Sequence, residues 1–84
     1  MEPPEQYSES ERLEEERRIR QLRRLVDFSL AFIAQTYLSL DEAERVVQGV
    51  RRYAHSLFPD KDETFELIYV PRFRRLIAEK FALQ

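Results

Sequence analysis

The sequence predicts an all-α protein, a small three-helix bundle with antiparallel neighbours and a third helix kinked or split at Pro71. Three observations predict it. Helix-start signatures occur three times, apolar residues recur at the helical period with no competing alternation, and the periodic stretches are separated by only a few residues. One glycine and four prolines in 84 residues, two of the prolines within the first four, are too few turn-formers for a sandwich or barrel. The length sets one domain, residues 8–84, behind an acidic leader over residues 1–7.

The leader holds two prolines and only Tyr7 to pack, which predicts disorder. Ser8 with Glu11 then has capping-box spacing and starts a helix near 9–36. Its first part, Glu9 to Arg18, has Leu13 as its one aliphatic residue and is laced with charge. From Ile19 onward the stripe Ile19, Leu22, Val26, Ser29, Leu30, Ile33 and Tyr37 forms a core face. At 1.5 Å per residue this helix is about 42 Å long, against about 28 Å for the next. Its N-terminal turns are therefore expected to project beyond the bundle.

The second helix, near 40–58, starts at a box of Ser39 and Glu42 and stops at Pro59. Leu40, Ala43, Val46, Val47, Val50, Tyr53, Ala54, Leu57 and Phe58 fill one arc of its wheel, with Asp41, Arg45, Gln48, Gly49, Arg52 and Ser56 opposite. A third box, Asp60 with Glu63, opens a helix near 62–82. That helix contains Pro71, which lacks an amide donor and crowds the carbonyl four residues back. Phe65, Ile68 and Tyr69 share a face before it, and Phe73, Leu76, Ile77 and Phe81 share a rotated face after it. A bend near Val70 brings both faces to one core.

Composition excludes several function classes. The hydrophobic fraction, 43%, suffices for a core, while the charged fraction, 36%, exceeds the roughly 25% of ordinary globular chains. There is no cysteine and a single histidine, His55, which rules out disulfides, thiolate zinc and a multi-histidine metal site within one chain. No cofactor is expected. The longest uncharged run, Phe28 to Leu40, has 13 residues, short of the roughly 20 a spanning helix requires. The start is acidic where a signal peptide is basic. The expected setting is a bacterial cytoplasm, with no membrane and no small-molecule substrate.

Catalysis has little to stand on. His55 and Ser56 are adjacent and point about 100° apart on a helix, so they are poorly placed to cooperate. No phosphate loop, EF-hand or zincin spacing occurs. The chain is expected not to be an enzyme.

Charge and aromatics say more. Residues 1–16 hold seven Glu and one Arg, while residues 17–84 hold thirteen basic and nine acidic side chains. Twelve of the fourteen basic residues are Arg, a bias that phosphate or carboxylate recognition produces and that a GC-rich genome also produces. Arg17, Arg20 and Arg24 form a stripe on the first helix, Arg45, Arg51 and Arg52 a middle patch, and Arg72, Arg74 and Arg75 a cluster after Pro71. Phe28 and Phe32 lie off the core stripe, either buried under a third helix or exposed as an interface patch. The reading that follows is a non-catalytic protein–protein interaction module whose partner is another protein or a second copy of itself. Phe28 and Phe32 are its apolar anchors and Arg17, Arg20 and Arg24 its charged rim. The alternative is a nucleic-acid accessory protein using the Arg-rich faces, disfavoured because the leader and Asp62-Glu63 repel phosphates.

Overall fold

The computed structural model describes the backbone of residues 4–82 and the side chains of residues 9–82. Four helical segments make three arms: α1 (Pro4–Gln35), α2 (Leu40–Leu57), α3 (Asp62–Ile68) and α4 (Val70–Phe81). No strand occurs among the described residues. The first arm is α1, the second α2, and the third is α3 and α4 joined by a bend at Tyr69. This is the expected bundle.

The α1 helix starts earlier than its spacing predicts. It runs from Pro4, so Ser8 lies inside it and not at its cap. A proline is tolerated at the first helical position because its missing amide would be unpaired there anyway. The acidic leader expected over residues 1–7 lies outside the described side chains.

The second start is as expected. Ser39 Oγ accepts from the Glu42 amide at 3.1 Å, and Glu42 Oε1 accepts from the Ser39 amide at 2.8 Å. Two orphan donors of α2 are thereby satisfied. The third start differs. Asp60 and Glu63 form no capping box, since the cap of α3 is Lys61, which makes no side-chain hydrogen bond. Pro59 and Asp60 instead fall in the turn that the Lys61 amide closes onto the Phe58 carbonyl at 3.0 Å.

Pro71 sits in the first turn of α4, and Tyr69 is both the last cap of α3 and the first of α4. Breaking the arm there turns Phe65 and Val70 inward together with Phe73 and Ile77. The core joins these to Leu22, Val26 and Ile33 of α1 and to Ala43, Val47, Val50 and Ala54 of α2. Phe73, Ile33, Val26 and Val47 are fully enclosed. The α4 segment packs on both α1 and α2, whereas α3 packs on α2 and α4 but stays off α1.

One end of α1 is closed from a distance. Its last turn has no basic residue to meet the unpaired carbonyls and the negative end of the helix dipole. Lys80 of α4 fills that role, its Nζ donating to the carbonyls of Ile33 at 2.6 Å and Thr36 at 2.8 Å. The other end projects. The radius of gyration, 16.3 Å, exceeds the about 12 Å typical of a compact domain of this length.

Two substitutions test this account in urea melts followed by circular dichroism. Phe73→Ala is expected to cost about 3–5 kcal/mol, because it empties the centre of the core. Lys80→Met keeps the aliphatic stem and is expected to cost about 1–2 kcal/mol by stranding the α1 carbonyls. No loss in the second would show that the α1 end needs no cation.

Candidate functional site

On the continuous wheel of α1, Arg17, Arg20, Arg24, Phe28 and Phe32 fall within an arc of about 120° that faces away from Leu22, Val26 and Ile33. All five are exposed. The two phenyl rings stack along the helix, centroids 6.3 Å apart with planes 21° from parallel. Phe28 is 68% exposed and Phe32 40%. The open question about these rings is therefore answered by where the third arm lands. Asp27 reaches Arg72 of α4, which places α4 on the flank of α1 and leaves the phenylalanine face uncovered.

The arginine clusters separate by what they meet. Arg51 is bidentate to Glu66, with Nε 2.7 Å from Oε2. Arg74 Nη1 donates to both oxygens of Glu44 at 2.8 Å, and Arg72 lies 3.6 Å from Asp27. These arginines tie α2 to α3, α4 to α2 and α4 to α1. Arg17, Arg20 and Arg24 have no ion-pair partner among the described residues.

Arg18 has a different duty. Its guanidinium lies over the Phe58 ring, 5.7 Å from the centroid, and its buried Nε has no hydrogen-bond partner. Stacking on the ring holds the projecting part of α1 against the end of α2.

His55 does not build a catalytic centre with Ser56. Its Nδ1 lies 3.0 Å from both carboxylate oxygens of Asp62, and both side chains are more than half exposed. Ser56 Oγ donates to the Tyr53 carbonyl at 2.7 Å. His55–Asp62 and Arg51–Glu66 line one open groove and form a ladder between α2 and α3. No group of three or more metal-ligating side chains gathers among the described residues.

Two features escape the sequence reading. Tyr37, expected in the core stripe, is fully exposed, because α1 ends at Gln35 and its wheel no longer applies. Ile68, expected to face the core beside Phe65, is 55% exposed because α3 stays off α1. The gap is an apolar cleft of about 250 Å³ between α1 and α3, lined by Ile19, Leu22, Phe58, Phe65, Ile68 and Tyr69. The early Ser39 box, which already marks the start of α2, was the signal that the α1 wheel stops before Tyr37. No comparable signal marks the cleft.

No protein-family model, curated protein or solved structure matches the chain.

Because Phe28 touches solvent over most of its surface, Phe28→Asp is expected to change unfolding free energy by no more than about 0.5 kcal/mol. A core role would cost several times that. For Arg51 and Glu66, both partly exposed, a double-mutant cycle is expected to give a coupling of about 0.2–1 kcal/mol that shrinks as salt is added.

Proposed function

We propose that this protein is a non-catalytic helical interaction module that works through the outer face of α1, in the cytoplasm. The observation that carries this reading is the pair of stacked, exposed rings, Phe28 and Phe32, continued along the same face by three arginines with no ion-pair partner among the described residues. Folding leaves an apolar ridge of this kind in water only at a cost, and aromatic anchors with an arginine rim are what helix-binding interfaces use. His55 meets Asp62 through Nδ1 at an exposed position and Ser56 Oγ donates to the Tyr53 carbonyl, an open setting without the water-poor pocket that catalysis calls for, which supports the non-catalytic reading. Among the described residues no helix is long and apolar enough to cross a membrane.

A photoreactive phenylalanine analogue at position 28, introduced in the native cells, tests the reading. Discrete protein adducts are expected, and they should vanish when Arg20→Glu and Arg24→Glu are added. Absence of adducts from position 28 would sink it.

The nucleic-acid alternative rests on the same stripe of Arg17, Arg20 and Arg24. It is weakened because Arg51, Arg72 and Arg74 already neutralise carboxylates of the bundle. It calls for oligonucleotide binding that weakens steeply with salt. We expect no mobility shift of duplex or single-stranded oligonucleotides at low salt.

A further inference from the structure

We propose that the outer face of α1 receives an acidic amphipathic helix of another protein, its carboxylates on Arg17, Arg20 and Arg24 and its apolar side chains on Phe28 and Phe32. The proposal rests on the reading of this face as a docking surface, and it names the chemistry of what docks.

The sign of the face points to this occupant. Between positions 17 and 35 the arc adds Gln21, Ala31 and Gln35, all exposed and uncharged, to the three arginines and two phenylalanines. It therefore has positive charges and no carboxylate in that stretch. Asp27, just beside the arc, lies 3.6 Å from Arg72 of α4. The whole chain has a net charge of −2, so this face reverses the sign of the molecule locally. A surface of one sign selects a partner of the other, and arginine meets carboxylates with a planar, two-pronged geometry.

The extent of the positive stretch favours a protein over a nucleic acid. Arg17 to Arg24 covers about 10 Å of helix. The turns directly before it hold Glu9, Glu11, Glu14, Glu15 and Glu16, spread around the helix. A phosphate backbone continues its charge beyond 10 Å and runs into those glutamates. A protein segment can be acidic over two turns and apolar over the next two.

The spacing gives that segment its shape. Positions 17, 20, 24, 28 and 32 fall on successive turns and make one ridge about 22 Å long. Among the described residues there is no strand, so no sheet edge is offered to an extended segment. A helix laid along the ridge meets it with side chains at three- and four-residue intervals. The chain's own acidic stretch, residues 9–16, does not supply this pattern, because Leu13 is its one aliphatic residue and the pair of rings calls for more.

Two synthetic helical peptides of about 16 residues, the length of the ridge, test the proposal. They share their apolar residues and carry either glutamate or lysine where they face the arginines. In fluorescence anisotropy with the full chain at low salt, the glutamate peptide is expected to bind about tenfold more tightly than the lysine peptide, and salt should narrow the gap. The net charge of the chain by itself favours the lysine peptide, so the opposite order reports this face. Arg17→Glu, Arg20→Glu and Arg24→Glu together are expected to reverse the order with unchanged circular dichroism, and Phe28→Asp to weaken the glutamate peptide.

Equal binding, no binding or tighter binding of the lysine peptide to the wild-type chain would overturn the proposal. So would a single-stranded oligonucleotide that binds more tightly than the glutamate peptide. The docking reading stands or falls separately, on the adducts from position 28. Adducts whose linked segment is neutral or basic would keep that reading and remove this occupant, and the absence of adducts would remove both.

Discussion

Pro71 has no amide hydrogen to give to the carbonyl of Leu67, and its ring crowds that carbonyl, so the third arm cannot run straight through positions 67–71. The chain answers by ending α3 at Ile68 and starting α4 at Val70, with Tyr69 shared between them. That single covalent constraint decides what each half of the arm covers. It lets Phe73 and Ile77 reach the centre of the bundle between α1 and α2, and it lets Phe65 join them from a segment with a different direction. It also takes α3 off α1, which opens the apolar cleft and leaves Ile68 in solvent.

The remaining architecture follows from how the bundle spends its charges. Arg51, Arg72 and Arg74 each cross from one helix to another and meet a carboxylate there. Lys80 crosses to the end of α1 and meets carbonyls. Exposed ion pairs contribute little individually, so these contacts fix the alignment of helices already held by the core more than they hold the helices together. The α1 outer face takes no part in this network. Its rings and arginines are left over from folding, and a chain this short has a small core and little reason to leave apolar rings in water unless another surface meets them.

The projecting part of α1 belongs to the same picture. Its charged turns have no core to pack on, and the stack of Arg18 on Phe58 is the contact that anchors its root. Beyond that point the helix rests on its own i,i+4 pairing, such as Arg18 with Glu14, and on residues with good helix propensity. The elongated shape is a consequence of local sequence, since a helix longer than its partners must overhang them.

The sequence by itself determined the number of arms, the limits of α2, the interruption at Pro71 and the separation of Phe28 and Phe32 from the core stripe. All of these depend on neighbours within four residues: a serine cap, a missing amide, a spacing around one helix. Tertiary structure alone decided which arginines are spent, since Arg51 finds Glu66 and Arg74 finds Glu44 across 15 and 30 residues. It likewise decided that Phe28 and Phe32 stay uncovered, that Lys80 closes α1, and that a cleft separates α1 from α3. A wheel records the direction a residue faces but not what arrives there, because that depends on the angle at which the bent third arm returns to the other two.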